Sequence, residues 1–191
     1  MERTIESKEI YRGRIINLRV DKVSLENGNT ATREIVEHPG AVCIAAVKDD
    51  NTLIFVKQYR KAVEDMLLEL PAGKLEDGEE PEECARRELM EETGYRADRV
   101  NYMFSFYTSP GFANEAMHLF YASGLQPGCD NQDDDEMVEV VEIGMDKALE
   151  MAVSGEIMDA KTLVGVLAVA SLGMGAEKIR LTGTGRLETK E

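Results

Sequence analysis

Three glutamates, Glu88, Glu91 and Glu92, stand at i, i+3 and i+4 in the segment GKLEDGEEPEECARRELMEETGY, residues 73–95. On a helix that spacing places all three carboxylates on one face. Like charges so close together destabilise a bare helix, so something must offset them. Hard divalent cations with oxygen ligands do this, and Mg²⁺ is the usual ion where phosphates are handled. The plain alternative is a solvated acidic helix face. Arg87 precedes the triplet and is expected to point elsewhere, pairing with Glu79 in the preceding loop.

The elements that must hold these residues are legible on either side. A helix is expected to begin at Pro81, because proline suits the first helical turn and Glu82 and Glu83 complement the helix dipole there. Cys84, Ala85 and Leu89 supply a narrow apolar face, and Gly94 stands where a C-terminal glycine belongs. The residues before position 60 read as strands. Ile15, Leu18, Val20, Val23 and Leu25 run up to Asn27-Gly28-Asn29, and Thr30 to Val36 runs back as a hairpin. Ala41 to Val47 reads as a buried strand, Asp49-Asp50-Asn51 as a turn, and Leu53 to Tyr59 as the returning strand. Further strands are expected at Met66 to Leu70, Asn101 to Tyr107, Met117 to Ala122 and Met137 to Ile143, with a polar loop over Gly124 to Asp135. Helices are expected over Asp146 to Ser154 and from an Asp159 cap to Leu172. Strands mixed with few helices, without regular βαβ alternation, point to an α+β fold.

The composition narrows the function. The chain has 191 residues, 22 Lys+Arg against 37 Asp+Glu, and so a net charge of 22 − 37 = −15. An apolar content of 43 % is enough for a core and argues against a disordered chain. So negative a charge argues against a protein that grips nucleic-acid phosphates, which needs a basic stripe. Cys43, Cys84 and Cys129 have no metal-site spacing and read as reduced thiols. The N-terminus, MERTIESKEIYRGR, has no apolar h-region, and the longest apolar stretch, Thr162 to Leu172, is far shorter than a membrane span. The expectation is a cytoplasmic protein with no membrane partner. Its organisation is read as an N-terminal strand and hairpin region over 1–40, a catalytic domain over 41–173 and a tail over 174–191.

Taken whole, Gly73, five residues, Glu79, seven residues, then Arg87-Glu88-Leu89-Met90-Glu91-Glu92-Thr93-Gly94-Tyr95 resembles the signature of the Nudix hydrolases. Every fixed position of that signature is filled. The resemblance implies an α/β/α sandwich around a mixed sheet, with the signature as loop-helix-loop, and hydrolysis of a nucleoside diphosphate linked to another group. Arg33 to Val42, Gln58-Tyr59-Arg60, Leu68 to Gly73 and Ser109-Pro110-Gly111-Phe112 are similar to the ADP-ribose pyrophosphatase branch, and Pro110 falls fifteen residues beyond Tyr95. The reaction implied is ADP-ribose plus water to AMP plus ribose 5-phosphate. The alternatives are another nucleoside diphosphate sugar as substrate, or a ligand sensor of the same fold that does not cleave.

The same resemblance implies roles for individual residues. Glu88 and Glu92 are metal ligands, Glu91 is a ligand or neighbour of the cluster, and the Ala72 carbonyl completes it. The metal implied is two or three Mg²⁺ ions, with Mn²⁺ as a possible substitute. Arg33 and Arg60 hold phosphates, a task suited to guanidinium forks, and Glu115 faces the terminal ribose. In the acidic loop Asp130 to Glu136, Glu136 matches a metal-approaching glutamate. Asp134 stands where a glutamate is usual, so either Glu136 or Asp134 is the general base. Arg14 replaces the aromatic expected beside the nucleobase. His38 and His118 read as structural, since metal-assisted anhydride hydrolysis needs no histidine. The branch is usually a homodimer joined through its N-terminal strands, and that arrangement is expected here.

Overall fold

Asn27-Gly28-Asn29 turns the chain for reasons visible in its residues. Gly28 takes φ 83°, in the left-handed region open to glycine. Its amide donates to the Leu25 carbonyl at 3.0 Å, and the Asn29 amide donates to the Asn27 side chain at 3.1 Å. This turn joins β2 (Asn17–Ser24) to β3 (Thr30–Glu37), antiparallel, with Ser24 opposite Thr30 and Asn17 opposite Glu37. On the other edge of β2 lies β1 (Arg3–Arg12), which is exposed along its whole length. In this computed structural model residues 1–128 and 138–171 are described, together with the backbone of the short pair β11 (Arg180–Leu181) and β12 (Leu187–Glu188).

The chain divides into two compact units, Met1–Gly40 with Phe106–Met117, and Ala41–Ser105 with His118–Glu191. In the first unit the free edge of β3 is taken up by the 112–114 segment. The Val36 amide donates to the Phe112 carbonyl at 2.8 Å, and the Asn114 amide donates to the Val36 carbonyl at 3.1 Å.

In the second unit, β4 (Ala41–Ala46) is buried at every residue. Val42, Ile44 and Ala46 pack with Cys84, Ala85 and Leu89 of α1 (Pro81–Thr93), while the Cys43 thiol reaches the Lys161 carbonyl in α3 (Ala160–Ser171). Burying a side chain such as Leu89 contributes about 1.5–3 kcal/mol. Strand β4 lies between β7 (Ala72–Lys74) and β9 (Ala116–Pro127), and β8 (Tyr95–Tyr107) completes that sheet. A second sheet has the order β10-β5-β6, from Glu139–Gly144, Thr52–Arg60 and Asp65–Glu69. The remaining helix, α2, is Met145–Ser154. The α+β class and the Nudix-type architecture, helices around a mixed sheet, are what the structure has. Among the described residues no helix is long and apolar enough to cross a membrane.

Three expectations need correcting. The strands on either side of Asp49-Asp50-Asn51 meet only at the bridge Val47–Leu53, and each then joins a different sheet. The turn is real: Asn51 takes φ 64°, and its amide donates to the Lys48 carbonyl at 3.0 Å. Strand β9 continues through Gly124 to Pro127, so the polar loop begins later than its composition suggests. The strand expected over Met66 to Leu70 ends at Glu69, and a further strand that was not expected, β7, follows it, with Ala72 and Gly73 paired to Cys43 and Val42. The expected cap of α3 is present: Asp159 accepts from the Thr162 amide at 3.0 Å and the Thr162 hydroxyl at 2.6 Å.

Candidate active site

Helix α1 starts and stops where its residues dictate. Pro81 opens it, Glu82 and Glu83 occupy the first turn, and Gly94 at φ 69° closes it with its amide donating to the Met90 carbonyl at 2.9 Å. This pins the triplet to one stretch of backbone. Glu92 is buried, at 5 % exposure, and its Oε2 accepts the Ala72 amide at 2.9 Å. The Glu88 side chain is 13 % exposed and that of Glu91 38 %. The Glu88 carboxyl group lies against Gly73, where any Cβ would fall within 1.8 Å of it. Strand and helix therefore meet where the Glu88 side chain lies on the Gly73 backbone, and a side chain at position 73 would push that carboxyl group aside.

Arg87 does not point elsewhere. Its Nε and Nη2 donate to the two oxygens of Glu79 at 2.9 and 3.0 Å. Its Nη1 donates to Glu88 Oε1 at 2.7 Å and to Glu91 Oε2 at 2.9 Å. The expected pairing with Glu79 holds, but the same guanidinium also ties two members of the triplet together. Its hydrogen bonds with Glu79 hold that carboxyl down to about 2. Arg87 itself is pushed up, chiefly by the same bonds. The i, i+4 relation of Arg87 to Glu91 was present in the sequence and would have signalled the contact.

Arg60 forms a two-pronged pair with Glu69, Nε to Oε1 and Nη2 to Oε2, both at 2.7 Å. Glu69 is 1 % exposed and also accepts from Lys161, which pairs in turn with Asp159 at 3.0 Å. Burial pushes the Glu69 carboxyl up, but the Arg60 and Lys161 cations outweigh it and leave the group below its ordinary value. Sequence reasoning missed Glu69 and Lys161. The available signal was a charged residue closing the otherwise apolar run Met66-Leu67-Leu68.

In the first unit, Arg33 is exposed and pairs with Glu2. Glu115 accepts from the Thr108 hydroxyl at 2.6 Å and lies 3.6 Å from His38 Nδ1. His38 Nδ1 also accepts the Gly40 amide at 3.2 Å. His118, in the second unit, is hydrogen-bonded to Ser105 Oγ at 2.6 Å. Glu136, Asp134 and Cys129 lie outside the described residues.

Among the described residues no group of three or more His, Cys, Asp or Glu side chains converges as a ready metal site. The donor set nevertheless fits a hard divalent cation. Four carboxyl groups, those of Glu79, Glu88, Glu91 and Glu92, gather about one guanidinium and the backbone of Ala72 and Gly73. One Arg leaves an excess of negative charge there, and oxygen is the only donor type the triplet offers.

Known proteins are similar to this chain over most of its length. The family model described as "NUDIX domain" matches residues 37–159, and that described as "Nucleoside diphosphate sugar hydrolase N-terminal domain" matches residues 2–36. The chain is 46 % identical to a protein of Bacillus methanolicus named methanol dehydrogenase activator, over 86 % of this chain and 90 % of the relative. It is 48 % identical to a protein of Bacillus subtilis (strain 168) named ADP-ribose pyrophosphatase, again over 86 % of this chain and 90 % of the relative. A crystal structure titled as an ADP compounds hydrolase shares the fold, with a TM-score of 0.79 at 22 % identity, covering 89 % of this chain and 92 % of that one.

Proposed function

The chain belongs to the Nudix hydrolases, and from that premise we propose that it hydrolyses the pyrophosphate bond of ADP-ribose to AMP and ribose 5-phosphate. The observation that carries the reading is the gathering of three carboxylates at one strand end: Arg87 ties Glu88 to Glu91, Glu92 accepts the Ala72 amide, and Glu88 lies against Gly73. It sets oxygen donors on a rigid helix beside a strand end. The pyrophosphatase relative supports the choice of substrate.

Glu88 and Glu92, with Glu91 beside them and the Ala72 carbonyl, would hold Mg²⁺, two or three ions, or Mn²⁺ in its place, and Glu136 would join them. When bound, the metal neutralises the diphosphate and lowers the pKa of water. Water oxygen attacks one phosphorus, the bond from that phosphorus to the bridging oxygen breaks, and the bridging oxygen leaves with the other phosphate. Glu136 or Asp134 takes the proton from the water. Arg87 keeps Glu88 and Glu91 in place while binding nothing itself. Arg60, whose Nη1 has no hydrogen-bond partner among the described residues, and Arg33 present donors to the phosphates, and Glu115 faces the distal ribose. The protein acts in the cytoplasm as a homodimer joined through residues 1–40, with residues 41–173 as its catalytic domain and 174–191 as a tail. The exposed apolar side chains Ile5, Ile10, Tyr11 and Ile15 support that interface.

The test is to incubate the protein with Mg²⁺ and a panel of nucleoside diphosphate derivatives and to separate the products. AMP and ribose 5-phosphate from ADP-ribose, ahead of the other compounds, is the expected result. Preferential release of nucleoside monophosphate from a nucleotide sugar would overturn the choice of substrate. Binding of ADP-ribose without release would favour the sensor.

A further inference from the structure

Arg60 is fixed from behind by groups that no reading of its strand would suggest. Its guanidinium has five N–H donors, and Glu69 occupies one on Nε and one on Nη2. Nη1 is left unengaged among the described residues, and the Arg60 side chain is 42 % exposed. One edge of the fork is thus locked inward and the other presented outward. The lock depends on Glu69 keeping its orientation. Glu69 Oε2 accepts from Arg60 Nη2 and also from Lys161 Nζ, so two cations hold one carboxylate plane.

Helix α3 braces the same stretch of backbone. The Leu70 amide donates to the Thr162 hydroxyl at 2.7 Å, and the Ile44 amide donates to the Pro71 carbonyl at 2.8 Å. Lys161 is itself held, only 11 % of its side chain exposed, between Glu69 and the capping residue Asp159. A carboxylate as buried as Glu69 is costly unless its charge is well paired, and Lys161 supplies the second cation that keeps its plane from turning. Without Lys161 the carboxylate could turn, and the Arg60 fork, bound to both of its oxygens, would turn with it.

We propose that Lys161 is a positioning residue: by fixing the Glu69 carboxylate it aims the Arg60 guanidinium at the diphosphate of the substrate. This deepens, and rests on, the reading of Arg60 as a phosphate-binding residue. Lys161 touches no reacting atom, so its removal acts on ground-state binding and leaves the chemical step largely intact.

The experiment is a double-mutant cycle of Lys161→Met and Arg60→Ala, read as KM and kcat for ADP-ribose at saturating Mg²⁺. The same cycle is read by calorimetric titration with inorganic pyrophosphate without divalent metal. Lys161→Met is expected to raise KM and the pyrophosphate Kd by about tenfold, with kcat changed less than about threefold. In the Arg60→Ala background the same substitution should add less than about twofold, because its target is gone. Lys161→Arg, which keeps a cation beside Glu69, should restore most of the loss. If Lys161→Met does not fold, Lys161→Ala, which has no donor for Glu69 and leaves room for water, carries the same cycle with the same expected outcome. An equal effect with and without Arg60, or a fall in kcat and Tm with KM and Kd unchanged, overturns the proposal. A wild-type protein that releases no AMP yet shows the pyrophosphate cycle overturns the proposed function and leaves the positioning role standing.

Discussion

The Glu88 carboxylate rests directly on the backbone of Gly73: a methyl group on that glycine would lie 1.8 Å from Glu88 Cδ and 1.9 Å from Oε1. The two residues come from the strand end and the helix that frame the site, and the contact sets how close these elements stand.

Gly73→Ala should therefore separate stability from activity. The colliding atoms are the far end of a flexible side chain, so Glu88 can swing aside and the fold should lose less than about 1 kcal/mol. The displaced carboxylate should lower kcat by about a hundredfold, as for a misplacement of about 1 Å in a catalytic site. Thermal unfolding and steady-state kinetics on the same preparation check both halves. A variant that unfolds readily, or one that turns over normally, contradicts the role given to this contact.

Glu79 and Arg87 make stability depend on acid. The carboxyl of Glu79 is held at about 2 in the folded protein against an ordinary 4.5. Its folded value is depressed, so its contribution is complete above pH 4.5 and is lost as pH falls toward 2. Glu79→Gln should be less stable than wild type at pH 7, and the gap should narrow steadily between pH 4.5 and 2. Urea unfolding at several pH values measures it. A gap that stays constant over that window contradicts the assignment.

Thr162→Val keeps the shape of the side chain and removes its hydroxyl. Thr162 is fully buried and its hydroxyl accepts the Leu70 amide. The amide would be left without a partner in the core, at a cost of about 1–3 kcal/mol. Chemical denaturation should show this loss, with α3 still capped through the Thr162 amide and Asp159. An unchanged midpoint would mean that water replaces the hydroxyl.

Helix α1 was legible because its signals are local. Pro81, Glu82, Glu83 and Gly94 mark its ends within the chain itself, and the i, i+3, i+4 spacing of the glutamates carries their common face. What was not legible depends on partners far along the chain. Glu69 meets Lys161 across 92 positions, and no periodicity encodes that contact. Strands β4 and β5 flank one turn as a hairpin would, yet β4 takes β7 and β9 as neighbours while β5 takes β6 and β10. That choice is made by the packing of α1 and α3 on either side of β4, a tertiary effect beyond strand alternation. Arg87 lies between the two cases: its contact with Glu91 is local, whereas its grip on Glu79 and Glu88 at once requires the folded loop.

The central claim is that the α1 carboxylates serve hydrolysis, and Glu92→Gln tests it most directly. Glu92 accepts the Ala72 amide, and a glutamine oxygen can do the same, so the variant should fold. Loss of the charged ligand should cost several kcal/mol of transition-state stabilisation, or a fall of about a thousandfold or more. The measurement is AMP released from ADP-ribose at saturating Mg²⁺ by wild type and variant side by side. Rapid release by wild type and near-complete loss in a folded Glu92→Gln is the predicted result. Comparable release by the two proteins, or none from the wild type, would contradict the account.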